Sequence, residues 1–158
     1  NLRKNPIVFL LKHPHPNFYP NLTHLPLPKI WSYYLVVILQ MLWIRLLPIG
    51  FDHPTVVASI IRVALRCDVR PNEVWTVGSS GTLTRGLQLA WPDADFHCVT
   101  VGHKGNYGRA KTYKCEIAFN KPAKVIPPFP SAITYDAKAW QFIKEHASPG
   151  ALFWNVGA

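Results

Sequence analysis

Apolar positions between residues 47 and 158 follow two rhythms, one helical and one continuous. Val56, Val57, Ile60, Ile61, Val63 and Ala64 recur at helical spacing behind Thr55, the expected N-cap, and the pattern fades near Cys67. Val74-Trp75-Thr76-Val77 is a short unbroken apolar run, as expected of a strand buried on both faces. A second helical pattern, with Leu83, Leu87 and Ala90 on one face, runs to Trp91 and is stopped by Pro92. Phe96-His97-Cys98-Val99-Thr100-Val101 then predicts a second strand ending at Gly102, and Tyr113 to Phe119 a short further one. Pro127, Pro128 and Pro130 force an extended approach to Ser131. A last helix starts within Thr134–Trp140, turns Ala139, Phe142 and Ile143 inward and closes around His146, before an apolar strand at Ala151–Trp154. Helix, strand, helix, strand is the order of an α/β fold: a three-layer arrangement with a mostly parallel sheet and crossover helices.

Residues 1–46 do not share this pattern. Pro6, Pro14, Pro16, Pro20, Pro26 and Pro28 leave little room for a regular element in residues 1–29, which are expected to be an irregular or disordered arm. His13-Pro14-His15-Pro16 offers no third ligand at a suitable spacing, so no metal site is expected. Residues 30–46 read as an apolar helix, with Trp31, Tyr33 and Tyr34 at one end. The run to Leu47 matches a minimal membrane span in length, but Gln40 and Arg45 interrupt it, and a core helix and a membrane anchor both stay open. The remaining domain is residues 47–158.

Charge refines the picture only modestly. The chain of 158 residues carries a formal net charge of +9, yet residues 1–50 hold five basic residues and no acid, against twelve basic and eight acidic residues in the remainder. The excess belongs in good part to the N-terminal segment, which argues against a nucleic-acid-binding surface on the α/β domain. Cys67, Cys98 and Cys115 are odd in number and not at zinc spacing, as expected for reduced, mostly buried thiols in a cytoplasmic protein.

The stretch with chemistry in it is Gly78-Ser79-Ser80-Gly81-Thr82, between the 74–77 strand and the following helix. The first N–H groups of a helix lack intrahelical acceptors and sit at the positive end of its dipole, so small residues here allow a phosphate to come close. Ser79, Ser80, Thr82 and Thr84 would add hydroxyl donors. The other reading is an ordinary strand-to-helix turn with a Ser or Thr cap. Glycines at 78, 81 and 86 do not make G-x-G-x-x-G, and no Gly-Lys pair makes a Walker A loop.

Taken in order, several segments resemble the fold-type II enzymes that depend on pyridoxal phosphate, the tryptophan synthase β-like superfamily. Gly78-Ser79-Ser80-Gly81-Thr82 is similar to the loop that holds the cofactor's phosphate there. Pro92-Asp93-Ala94 resembles that family's step into the next strand. Tyr135-Asp136-Ala137-Lys138-Ala139 resembles the Tyr-Glu-Gly-Lys stretch of the aminocyclopropane-carboxylate deaminase and D-cysteine desulfhydrase branch, and Ala151 to Gly157 that branch's closing strand and His-Thr-Gly-Gly turn. The resemblance covers roughly residues 47–158 and corresponds to the C-terminal half of a family member.

It implies pyridoxal 5′-phosphate as cofactor, and a small amino-acid substrate undergoing elimination, replacement or deamination in a lyase- or deaminase-like enzyme, with a homodimer as the assembly. Gly78, Ser79, Ser80, Gly81 and Thr82 would bind the phosphate. Tyr135 would line the substrate side of the ring, Asp136 would face the pyridine nitrogen, and Asn155 would stand in for the ring's hydroxyl partner, since Val156 replaces the branch's Thr. A carboxylate beside that nitrogen keeps the ring protonated and a better electron sink. For Tyr135 and Asp136 plain packing and a helix cap stay open beside these roles. The family's Schiff-base lysine lies in its N-terminal half, and nothing in residues 1–46 is similar to that half. The chain is therefore expected to hold a cofactor without an identifiable reacting lysine. A non-catalytic module for a phosphorylated ligand is the alternative, and a protein anchored by 30–47 a third.

Overall fold

The computed structural model describes residues 7–10, 49–102 and 104–157. The expected apolar helix at 30–46 and most of the proline-rich arm lie outside these residues. Within the arm, Ile7–Leu10 forms a strand, β1, where irregular chain is expected. Its four residues are apolar and free of proline, and Pro6 stands just before the first of them.

The other elements follow the apolar rhythm closely. Helix α1 is Pro54–Arg66 and strand β2 is Glu73–Gly78; helix α2 is Thr82–Ala90 and strand β3 is Asp95–Thr100. Strand β4 is Lys111–Lys114, a 3-10 turn at Asp136–Ala139 leads into helix α3 at Trp140–His146, and β5 is Leu152–Asn155. The cap of α1 is His53 rather than the expected Thr55: its ring Nδ1 accepts the Thr55 N–H at 3.3 Å. Pro54, with its φ already helical and no N–H to satisfy, fits the first helical position and sets the start there.

All pairings in the five-stranded sheet are parallel, in the order β1-β5-β2-β3-β4. Strand β4 lies two residues earlier than expected and is shorter, because its ladder pairs His97–Thr100 with Lys111–Lys114. Gly102, at φ +84°, turns the chain just past the end of β3.

Side chains alternate between two cores. Val74, Phe96, Leu152 and Trp154 face Ala64 of α1 and Leu87 and Ala90 of α2. Trp75, Val77, Val99 and Phe153 face Ala139 and Ile143 on the opposite side. The sheet is thus covered on both faces, which is why its strands read as unbroken apolar runs. Because the strands are parallel, Gly78, Thr100, Lys114 and Asn155 all end on one edge, and the loops that follow them meet there.

Candidate functional site

The loop after β2 sits at the centre of that edge. Gly81 caps α2 at φ +85°, a left-handed conformation that L side chains rarely adopt, and a Cβ on it would run into the Asn106 carbonyl. The Ser80 hydroxyl donates to the Gly50 carbonyl at 3.2 Å, lies 3.2 Å from the Thr82 hydroxyl and accepts the Thr82 N–H at 3.4 Å. Gly81 and Thr82 are buried, while Ser79 and Ser80 are half-buried. The open side of this loop is therefore at Ser79 and Ser80.

Thr84, expected among the phosphate donors, is not at the site. One turn along α2 from Gly81, it shares the inward face with Leu87, is fully buried, and lies 2.9 Å from the Thr76 hydroxyl and 3.5 Å from Cys98 Sγ. It welds the helix to β2. Burial pushes the Cys98 thiol up, despite the hydroxyls of Thr84 and Thr76, so it stays a neutral core thiol.

What covers the loop is the segment 104–109, which hydrogen bonds tie down. Asn106 N–H donates to the Ser80 carbonyl at 3.1 Å. The Tyr107 hydroxyl donates to the Ser79 carbonyl at 2.9 Å and accepts the Gly105 N–H at 3.0 Å, and Gln88 Nε2 donates to the Tyr107 carbonyl at 2.9 Å. Burial raises the Tyr107 phenol above its usual range, which keeps it a donor. A Cβ on Gly105 would run into the Ser79 and Ser80 carbonyls, so backbone approaches backbone here.

Tyr135 and Asp136 come to the same edge from the opposite direction. The Ser79 backbone lies close enough to the Tyr135 phenol to lower its pKa slightly, which brings together residues 56 positions apart in the chain. Burial first, then the charge of Asp136, pushes the Tyr135 phenol up to about 12, so it is a neutral hydroxyl at ordinary pH and not a base. Asp136 is 2% exposed; its Oδ2 accepts the Gly157 N–H at 2.8 Å, and its carboxylate also accepts from the Val156 N–H. Burial raises it to about 6 against those two bonds. Asn155 is 1% exposed, donates to the Pro130 carbonyl at 2.7 Å and accepts from Ser131 Oγ at 3.1 Å. Both side chains are engaged in holding the turns around the edge.

Two further residues, with no site role in the sequence reading, stand beside Tyr135. Phe119 lies edge-on to Tyr135, ring centroids 5.9 Å apart, and Lys138 reaches under it from the 3-10 turn. Lys138 sits within the Tyr135–Ala139 stretch, its side chain buried and donating to the Ala118 and Phe119 carbonyls. Among the described residues no group of three or more His, Cys, Asp or Glu is placed to hold a metal ion, and no helix is long and apolar enough to cross a membrane. No protein-family model matches the chain, no curated protein matches it, and no solved structure matches its fold.

Proposed function

We propose that the C-terminal edge of the sheet binds pyridoxal 5′-phosphate, and that the chain is a pyridoxal-phosphate-dependent enzyme, or the cofactor-binding part of one, acting on a small amino acid by elimination, replacement or deamination. The observation that carries the reading is convergence. The loop at 78–82 and the Tyr135–Asp136 pair belong to separate segments, and the Ser79 backbone lies close enough to the Tyr135 phenol to favour its charged form.

The donor set fits the phosphate end. The Ser79 hydroxyl and the Ser80 N–H stand at the mouth of helix α2, while the Ser80 hydroxyl already donates to the Gly50 carbonyl. Gly102 leaves the space in front of them open, because a Cβ there would stand 3.7 Å from Ser79 Oγ and 3.2 Å from the Phe119 ring. The fit at the ring nitrogen is indirect: Asp136 is occupied by the 156–157 turn, so its part is to hold that turn rather than to touch the ring. Tyr135, as a neutral phenol, orients and hydrogen-bonds; it does not take a proton. Bound at this edge, the cofactor supplies an electron sink for charge developing at the substrate Cα.

The test is the visible spectrum of the purified chain mixed with pyridoxal phosphate, before and after borohydride, with calorimetry against inorganic phosphate and nucleotides. Saturable binding that prefers pyridoxal phosphate to the other anions supports the reading, and equal weak binding of all of them overturns it. A phosphorylated-ligand module without turnover is the second reading, favoured by the engagement of Lys138 with two carbonyls. Preferential binding with no lysine labelled by borohydride selects that second reading.

A further inference from the structure

Lys138 is a buried charged side chain in the described fold. Its side chain is 1% exposed, and no carboxylate stands within ion-pair distance among the described residues. A buried ammonium without a counter-charge is expensive unless its protons are well received. Here they are received by backbone: Nζ donates to the Ala118 carbonyl at 2.9 Å and to the Phe119 carbonyl at 3.1 Å, and it lies 5.9 Å from the centre of the Phe119 ring. The Ala118 carbonyl also accepts the Lys121 N–H at 2.9 Å. So much polar bonding fixes a surface turn that buries little of its own.

What the turn presents is an aromatic ring. Phe119 is 56% exposed, although its backbone is pinned from below and its edge is packed at 63° against Tyr135. A core role would bury it, and an idle surface position would not need Lys138 beneath it. Its position relates it to the phosphate end of the site: the Phe119 ring and Ser79 Oγ both lie within 4 Å of the point where Gly102 lacks a Cβ. Tyr135 stands beside both, its ring edge-on to Phe119 and its phenol close to the Ser79 backbone.

We propose that Phe119 is the ring-binding platform of this site, taking the face of a planar heteroaromatic ring whose phosphate sits at Ser79–Ser80, and that Lys138 is its positioning residue. The inference rests on the function proposed above and makes it more specific. The ligand class is a phosphorylated heteroaromatic, pyridoxal phosphate being the member tested. An offset or edge-to-face aromatic contact contributes about 0.5–1.5 kcal/mol beyond its area, which corresponds to roughly a two- to twelve-fold change in affinity.

The experiment compares the full chain with Phe119→Leu, Phe119→Tyr and Lys138→Met, titrating each with pyridoxal phosphate and with inorganic phosphate, alongside a thermal melt. Expected are a several-fold weaker affinity for pyridoxal phosphate in Phe119→Leu, retention in Phe119→Tyr, and unchanged affinity for inorganic phosphate in both. A folded Lys138→Met shows the same selective loss; a merely structural lysine would lower the melting temperature and leave the ratio of the two affinities alone. Should Lys138→Met not fold, the Phe119 pair still decides the platform. Equal binding of pyridoxal phosphate by wild type and Phe119→Leu overturns the platform while the cofactor reading stands, whereas no binding by wild type overturns both.

Discussion

Asp136 gives the sharpest test of the electrostatics at the sheet edge. Burial raises its carboxyl from 3.8 to about 6, in spite of the N–H groups of Gly157 and Val156 that favour the charged form. That is a shift of roughly two pH units, or about 3 kcal/mol at 1.4 kcal/mol per unit. The sign follows from proton counts: between pH 6 and pH 4 the folded chain holds the proton and the unfolded chain has released it, so stability rises as pH falls. The contribution is fully present below the unfolded pKa and is lost as pH rises through about 6.

Asp136→Asn removes the titration. An amide has one acceptor oxygen where the carboxylate has two, so one of the two N–H bonds is lost, a pH-independent offset of about 1 kcal/mol. The two proteins are compared by urea denaturation at steps from pH 8 to pH 3.5. The wild type is expected to gain up to about 3 kcal/mol on the variant over that range, with most of the change between pH 6 and pH 4. Other titrating groups, Glu73 among them, act equally in both proteins and cancel in the difference. A flat difference, or one that moves against the wild type as pH falls, would refute a buried carboxyl raised by desolvation.

Two other outcomes follow from the core. Thr84→Val removes the hydroxyl 2.9 Å from Thr76, whose own hydroxyl keeps the His97 carbonyl as acceptor at 3.3 Å; the expected loss is about 1 kcal/mol in the same urea assay with no change in ligand affinity, and a weakened affinity would return Thr84 to the site. His97 stacks on Trp75 at 4.5 Å, its Nδ1 is 3.1 Å from the Tyr113 hydroxyl, and burial lowers its pKa, with Lys111 and His146 adding to that and Glu73 and Asp95 opposing it. The unfolded chain therefore takes up the proton first. Wild type is expected to lose stability relative to His97→Gln as pH drops below 6.5, and a gain instead would refute that burial dominates.

Much of the fold was legible because its strands are covered on both faces. Val74–Val77, Phe96–Thr100 and Leu152–Trp154 announce themselves as apolar runs, and the helix between the first two shows a clean inward stripe. Strand β4, Lys-Thr-Tyr-Lys, carries no such run; its limits come from the partner strand, and an edge strand with a half-buried face leaves little imprint in sequence. The site was legible only in part for a related reason. Gly81 and Tyr135 mark themselves by type and context, but the bonds that close the edge run through backbone atoms, such as Asn106 N–H to the Ser80 carbonyl, and backbone atoms are the same in every residue. Phe119 is one aromatic in a polar stretch, and only the buried Lys138 beneath it sets it apart.

The cover over the loop changes what the loop can do. A helix N-terminus attracts anions because its first N–H groups point outward unpaired, but at α2 the innermost residues, Gly81 and Thr82, lie beneath Asn106 and are shut off from water. The dipole still acts through the buried turn, and its field is less screened there than at an open helix end. The open positions are Ser79 and Ser80, where hydroxyls supply contacts that backbone supplies elsewhere. On the proposed reading, selectivity would come less from the helix than from the groups around its open side: Tyr135 beside the Ser79 backbone, Tyr107 on the Ser79 carbonyl, and the Phe119 ring across Gly102. On that reading, a free phosphate would meet only the serines, whereas a phosphate that carries a ring would meet the aromatic wall as well, and that difference would tie the ligand class to the geometry of this edge.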